Sequence, residues 1–356
     1  MEEVTVNLRD RSYPIYIGAN VLPAIGELCR PFGFSGRGVL ITNSVVGPRY
    51  SRPVLSSFEA VGIALTLLEV PDGEEFKNLQ EAGTLYEKLL PLGLDRRSPI
   101  VALGGGVIGD LGGFVAATFM RGLPLIQAPT SLLAQVDSSI GGKVGVNLPQ
   151  AKNMVGAFYQ PQLVVSDVCL LRTLPPKEFQ AGLAEVVKYG VIADKRFFEW
   201  LETHLPSVLE RKEDAIIHIV ETSCRIKAAV VERDERDEGV RALLNFGHTV
   251  GHALEAATGY RQLTHGEAVA IGMLAAARIS CQIGLCGGEL PQRLHHLIER
   301  IGLPTALPVP PEKIIETIGY DKKLRDNVMY FVLTKDFGDV TVAPILDPVD
   351  ALQGLS

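Results

Sequence analysis

Ile100-Val101-Ala102-Leu103-Gly104-Gly105-Gly106-Val107-Ile108-Gly109-Asp110 is the stretch whose reading decides the fold. Four consecutive apolar residues bounded by glycine read as a buried strand, and the residues beyond Gly106 read as the start of a helix. Across this turn, Gly104-x-Gly106-x-x-Gly109 matches the dinucleotide fingerprint, whose glycines let the backbone approach a pyrophosphate at a helix amino terminus. Two features depart from the plain fingerprint: it lies far from the amino terminus, and Asp110 directly follows the place an anion would occupy. A glycine turn that serves only packing is the other reading of the same residues.

On either side the pattern repeats. Thr5–Leu8, Tyr13–Ile17, Gly38–Thr42, Ala64–Val70 and Leu125–Ala128 read as strands, with helices near Tyr50–Ala60 and Asn78–Leu90. Such alternation predicts an α/β amino-terminal domain with a mostly parallel, Rossmann-like sheet. After Pro175-Pro176 the spacing becomes helical, over Lys177–Val191, Lys195–Leu205, Asp214–Glu232, Leu243–Thr258, Gly266–Ile283 and Leu290–Ile301. Met329–Thr334 and Val340–Ala343 read as a closing hairpin. The expected organisation is an NAD-binding α/β domain over 1–174 and a mainly α-helical metal- and substrate-binding domain over 175–356. The cleft between them is the expected active site.

Composition narrows the function classes. The 356 residues are 47% hydrophobic and 21% charged, as in an ordinary globular protein. A net charge of −7 argues against broad nucleic-acid binding. The amino terminus is too polar for a signal peptide, and the apolar runs Val101–Ala117 and Ala268–Ala277 are glycine-broken or short, so neither export nor membrane insertion is expected. Five scattered cysteines without a Cys-x-x-Cys pair read as reduced packing residues of a cytoplasmic protein.

Three of the seven histidines fall in Asn245-Phe246-Gly247-His248-Thr249-Val250-Gly251-His252 and His265-Gly266-Glu267. His248 and His252, four apart in a predicted helix, share a face, so both can ligate a metal or one can ligate while the other moves protons. A solvated histidine stripe is the plainer reading, but glycine beside each histidine costs helix stability and permits close backbone approach. Glu185 and Lys188 share a helical face amid apolar residues, which fits an intrahelical ion pair as well as a metal ligand; spacing does not choose. Asp72-Gly73-Glu74-Glu75-Phe76-Lys77 offers carboxylates for ribose hydroxyls and a cation for phosphate. Pro129–Lys143 is dense in hydroxyls and glycine and ends on lysine, and Lys152-Asn153 follows; such segments suit phosphate. Lys227, Arg241 and Asn245 add donors, so an acidic chain that gathers cations in its motifs is expected to bind a small anionic molecule.

Taken together, Gly104–Gly113, Pro129–Lys143, Lys152–Gly156, Ala184–Lys188, Leu244–Glu255, His265–Met273 and Asp321-Lys322-Lys323 resemble the 3-dehydroquinate synthase family of sugar phosphate cyclases, in order and over nearly the whole chain. The resemblance implies one divalent metal, zinc or alternatively cobalt, on Glu185, His248 and His265. It implies NAD contacts at Asn43, at Asp72, Gly73, Glu74, Glu75, Phe76 and Lys77, and at Gly106, Val107, Ile108, Gly109 and Asp110. Further NAD contacts are implied at Thr130, Ser131, Asp137, Lys143 and Lys152, and at Leu170, Leu171, Arg172 and Thr173. The implied substrate and catalytic residues are Asp137, Lys143, Lys152, Asn153, Lys188, Lys227, Arg241, Asn245 and His252, with one of Lys322 and Lys323, taken as Lys322. A homodimer is implied, in which Arg121 reaches the phosphate of the partner subunit's substrate. Ser131 stands where many relatives carry threonine and keeps the hydroxyl, and Asp237 stands where glutamate is usual.

The reaction so implied is the second step of the shikimate pathway, toward chorismate and the aromatic amino acids. The sugar acid phosphate 3-deoxy-D-arabino-heptulosonate 7-phosphate is oxidised at C5, loses phosphate and is reduced again. Ring opening and aldol closure then give 3-dehydroquinate, and NAD is regenerated. The other readings are an inosose- or valiolone-forming cyclase and a metal-dependent alcohol or glycerol dehydrogenase. Arg241 and Asn245, which the resemblance assigns to the branch that forms 3-dehydroquinate, favour the first reading.

Overall fold

A seven-stranded sheet organises the first half of the chain in this computed structural model, which describes residues 1–320, 329–345 and Leu352. In chain order the strands of this half are β1 (Glu2–Val6), β2 (Tyr13–Gly18), β3 (Arg37–Asn43), β4 (Ala64–Val70), β5 (Ile100–Gly104), β6 (Leu125–Pro129), β7 (Lys143–Leu148), β8 (Ala151–Phe158) and β9 (Leu163–Asp167). The sheet runs β1-β2-β9-β6-β5-β3-β4, and β7 and β8 pair as a separate antiparallel hairpin. Only β1 is antiparallel; β2, β9, β6, β5, β3 and β4 pair in parallel. The first half also carries helices α1 (Ile25–Cys29), α2 (Gly47–Ala60), α3 (Leu79–Leu89) and α4 (Gly106–Thr118).

Helices cover both faces, which is why β5 is apolar throughout and β6 carries one polar residue, the buried Gln127, instead of alternating. Ile100 and Ala102 join a core with Leu85, Leu111 and Val115, while Val101 and Leu103 join one with Ile25, Val54 and Phe58. The strand order also fixes where a ligand belongs. From β4 the chain returns past β3 to build β5 and β6 on its other side, so the order reverses between β3 and β5. In open parallel sheets, ligands bind outside the carboxyl ends of strands at such a reversal.

The second half is mainly helical: α5 (Pro176–Ala193), α6 (Lys195–Leu209), α7 (Glu213–Arg233), α8 (His248–Ala257), α9 (His265–Gln282), α10 (Glu289–Ile301) and α11 (Pro311–Tyr320), closed by the hairpin β10 (Met329–Asp336) and β11 (Asp339–Ile345). α9 is central, and its run of buried Ala, Gly and Ile lets α5 and α8 pack close against it. The chain divides into two compact units, one of Met1–Leu174 with Ile216–Glu232 and one of Pro175–Ala215 with Arg233–Ser356. No described helix is long and apolar enough to cross a membrane.

Three local readings need correction. The first strand lies at Glu2–Val6, upstream of Thr5–Leu8. The single helix expected over Leu243–Thr258 is broken at Gly247, whose φ of +80° ends a 3-10 segment (Val240–Asn245) before α8 begins at His248. The hairpin β7–β8, strand β9 and helix α11 were not expected.

Candidate active site

The carboxyl edge of the parallel sheet gathers the residues expected to meet NAD. Asn43 ends β3; its Oδ1 accepts hydrogen bonds from the Val45 and Val46 N–H groups, and its Nδ2 donates to Asp72 Oδ1 at 2.5 Å. Gly73, at φ +134°, turns the chain into the short 3-10 segment Glu74–Phe76. Lys77 is buried, and its Nζ donates to Asp110 Oδ2 at 2.9 Å and lies 3.4 Å from Glu74 Oε1. Burial alone would lower the Lys77 pKa, but the Asp110 and Glu74 carboxylates raise it above its ordinary value. An ammonium therefore offsets the Asp110 charge that departs from the plain fingerprint.

Both readings of the glycine turn have a physical counterpart. A Cβ on Gly104 would lie 2.6 Å from Ile108 Cβ, and Gln127 Nε2 donates to the Gly109 carbonyl at 3.1 Å, so these two glycines serve packing. Gly105 and Gly106 face the Ser131 and Ser138 hydroxyls instead, and no side chain caps the first turn of α4. Uncapped N–H groups at half-buried Gly106 and Val107 are the donors an anion needs. Ile108 is buried in the core. Thr130, just past β6, is held by its N–H to the Gly104 carbonyl at 2.9 Å. Leu170, Leu171, Arg172 and Thr173 lie in a 3-10 segment after β9, where the Tyr50 and Thr173 hydroxyls hydrogen-bond.

Asp137 sits in a π-helical turn, Ala134–Ser138, braced by Gln135 Nε2 donating to the Pro129 and Asp167 carbonyls. Lys227 Nζ reaches both the Asp137 carbonyl and Oδ1 at 2.8 Å, so these two candidates are joined directly. Lys143 is exposed at the start of β7. Half-buried Lys152 and exposed Asn153, the latter at φ +57°, lie near the opposite end of that hairpin. Arg121, also at positive φ, is exposed in the turn after α4. Lys322 and Lys323 lie outside the described residues.

In the second unit, Glu185 is fully buried in the middle of α5, and the Lys188 ammonium one turn on pairs with Oε2. His248 opens α8 and His265 opens α9. Their Nε2 atoms lie 3.5 and 3.6 Å from Glu185 Oε1. One ligand atom from each of Glu185, His248 and His265 falls within 4.8 Å of the others. A carboxylate and two imidazoles are a donor set suited to a catalytic divalent metal, with coordination positions left over for other ligands. His252 is exposed, its ring centroid 5.3 Å from that of His248 and 5.9 Å from that of His265.

Glycine makes the convergence possible. A Cβ on Gly266 would lie 2.0 Å from the Ala181 carbonyl oxygen of α5, and one on Gly251 3.2 Å from the Ala268 carbonyl oxygen of α9. At Gly247 it would lie 2.9 Å from the Val269 carbonyl oxygen. The glycines beside the histidines are therefore close-approach residues. Glu267 completes a capping box with Thr264, its carboxylate accepting from the Thr264 N–H at 2.7 Å, which fixes the start of α9 at His265.

The two ligand-competent histidines differ electrostatically. Burial pushes His248 down to about 3, with Glu185 opposing, so its ring is neutral. Burial would also lower His265, but the Glu185 and Glu255 carboxylates outweigh it and raise the ring to about 10. Glu255, which the sequence reading left without a role, meets His265 Nδ1 at 3.2 Å. Its signal was the helical series 248, 252, 255, which places it on the histidine face. Arg241 is buried, its Nη1 donating to the Glu235 carbonyl at 2.7 Å. Its backbone N–H, with those of Glu238 and Gly239, holds Asp234 below the usual carboxylate pKa. Asn245 ends the 3-10 segment that leads to His248.

Sequence comparison is decisive here. The 3-dehydroquinate synthase N-terminal pattern matches residues 67–181, and the 3-dehydroquinate synthase C-terminal pattern matches 182–324. The chain belongs to the 3-dehydroquinate synthase family. It is 48% identical to a 3-dehydroquinate synthase of Geotalea uraniireducens over 99% of this chain and 98% of that one. With the corresponding protein of Pelotomaculum thermopropionicum it shares 50% identity over 96% of this chain and 93% of that one. Among solved structures, a 2-deoxy-scyllo-inosose synthase complexed with carbaglucose-6-phosphate, NAD+ and Co2+ superposes with a TM-score of 0.90 at 28% identity, covering 98% of each chain. A glycerol dehydrogenase from Schizosaccharomyces pombe, at 15% identity and a TM-score of 0.68 over 96% of this chain and 88% of that one, shares the fold alone.

Proposed function

We propose that this chain converts 3-deoxy-D-arabino-heptulosonate 7-phosphate to 3-dehydroquinate and phosphate, as a carbon–oxygen lyase of the shikimate pathway. The observation that carries this reading is its near-full-length likeness to 3-dehydroquinate synthases, at 48% identity over 99% of the chain. Glu185, His248 and His265 would hold one divalent ion, zinc or cobalt, and the carboxyl edge of the first unit's sheet would hold NAD. The donor set fits such an ion, and the uncapped first turn of α4 fits a pyrophosphate. When bound, the ion supplies Lewis acidity at a substrate oxygen, and NAD supplies reversible hydride transfer.

The chain's own groups position and neutralise. Asn43 and Asp72, tied to each other, are placed for ribose hydroxyls, with Glu74, Glu75 and Phe76 in the adjoining turn. Lys188 pairs with buried Glu185 and offsets its charge where solvent does not reach. Arg241, fixed by Glu235, and Lys227 supply cations for the substrate carboxylate, a planar target suited to guanidinium. Lys143, Asn153 and His252 are assigned to the phosphate. A cytoplasmic homodimer, with Arg121 presented to the partner subunit, belongs to the same proposal.

The test compares phosphate release from the heptulosonate phosphate and from glucose 6-phosphate, each with and without chelator. Release from the sugar acid alone, abolished by chelation, is the expected result. Release from glucose 6-phosphate at an equal rate would place the chain with the inosose-forming cyclases.

A further inference from the structure

We infer that Glu255 is a positioning residue that fixes the tautomer and ring orientation of His265 for metal binding; the inference rests on the metal assignment above. Glu255 lies in α8, three residues beyond His252 and seven beyond His248, so the helix that presents His248 also presents this carboxylate. Its side chain is 8% exposed, and Oε2 lies 3.2 Å from His265 Nδ1. Nε2 of the same ring lies 3.6 Å from Glu185 Oε1. The two ring nitrogens thus face two different carboxylates.

That division has one chemical outcome once an ion occupies the Glu185 side. A proton kept on Nδ1 is donated to Glu255, and the Nε2 lone pair is left for the metal. Free rotation of the ring about its Cβ–Cγ bond is opposed by the same hydrogen bond. His248 meets the same need differently: its Nδ1 faces the Phe246 carbonyl at 3.2 Å. A neutral carbonyl orients a ring without adding charge, whereas a carboxylate acceptor also increases the electron density at Nε2. Glu255 therefore makes His265 the stronger nitrogen donor of the pair. His252 and Glu255 also approach His265 closely enough to form a second donor group. Metal there would leave buried Glu185 and His248 unused.

The experiment titrates the metal-free full-length protein with Co2+ against a competing chelator, for wild type, Glu255→Gln and Glu255→Ala, with far-UV circular dichroism as the control for folding. Wild type is expected to take up one Co2+ per chain. Glu255→Gln, which keeps an acceptor but no charge, is expected to bind roughly 10- to 100-fold more weakly, and Glu255→Ala more weakly still. This graded loss at unchanged secondary structure is a readout that a merely structural glutamate would not move. Should Glu255→Ala fail to fold, Glu255→Gln decides. Wild-type Co2+ affinity in Glu255→Gln overturns the inference and leaves the metal site standing. A wild-type protein that takes up no Co2+ overturns the metal assignment, and the role of Glu255 with it.

Discussion

Gly266→Ala tests whether close backbone approach, and not the identity of the ligands alone, builds the metal site. A Cβ at this position would lie 2.0 Å from the Ala181 carbonyl oxygen, whereas ordinary contact begins at 3.4 Å. Relief therefore needs the two backbones to separate by about 1.4 Å, the difference between those distances. The clash falls next to His265 and one helical turn before Glu185, so the displacement reaches two of the three ligands directly. Metal–ligand distances tolerate only about 0.2 Å, so even half of the separation at each helix exceeds what an ion accepts. Overpacking of this kind costs about 1–3 kcal/mol, too little to unfold a typical domain. The expected phenotype is a folded protein with a modestly lowered urea midpoint and a large loss of Co2+ affinity, read by chelator competition and by urea unfolding of the metal-free protein. Wild-type Co2+ affinity in Gly266→Ala would refute the reasoning, because the ligands would then converge without the contact.

Glu185→Gln and His265→Ala are expected to lose bound metal and phosphate release together, measured by elemental analysis and a phosphate assay on the same preparation; full turnover without metal contradicts the ligand assignment. Metal binding should weaken as pH falls, because His265, raised to about 10, carries a proton that the ion must displace, while His248, at about 3, is already neutral. Between pH 6 and 8 the apparent Co2+ affinity should drop about tenfold per unit of acidification with release of about one proton, and a pH-independent affinity argues against this. Lys77→Met leaves the Asp110 carboxylate without its ammonium partner and is expected to cost about 3 kcal/mol, the low end for a buried pair because Asp110 is 20% exposed. The double variant Lys77→Met/Asp110→Asn should recover part of that loss in urea unfolding; an unchanged midpoint in the single variant contradicts the pairing.

The parts of the fold legible in the sequence are those where local pattern and burial agree. Ile100–Gly104 and Leu125–Pro129 are buried on both faces and so appear as apolar runs, the second interrupted only by Gln127. Ala64–Val70, though mostly exposed, was placed at its observed limits because Gly62 and Pro71 bracket it. Failures came where tertiary contact overrides pattern. Gly247 sits inside a helical periodicity, but its positive φ and the nearby Val269 carbonyl force the break. The hairpin over Lys143–Phe158 went unread because its second strand is largely exposed, leaving no alternation to read. In the site, residue types pointed to metal and phosphate, and the family pattern separated His248 from His252. Glu255 was missed because a carboxylate that acts through a neighbouring ring leaves no trace in spacing beyond the helix face it shares. The Lys77–Asp110 pair was missed for a similar reason: 33 residues separate its members, and only the sheet brings them together.

The central claim, a cyclising lyase that regenerates its hydride carrier, is tested most directly by supplying heptulosonate 7-phosphate with one equivalent of NAD per chain. Phosphate, 3-dehydroquinate and absorbance at 340 nm are followed together. The account predicts many phosphates and equal amounts of 3-dehydroquinate per NAD, with no net NADH. NADH accumulating in step with substrate consumption, or an intact heptulosonate phosphate, would contradict it.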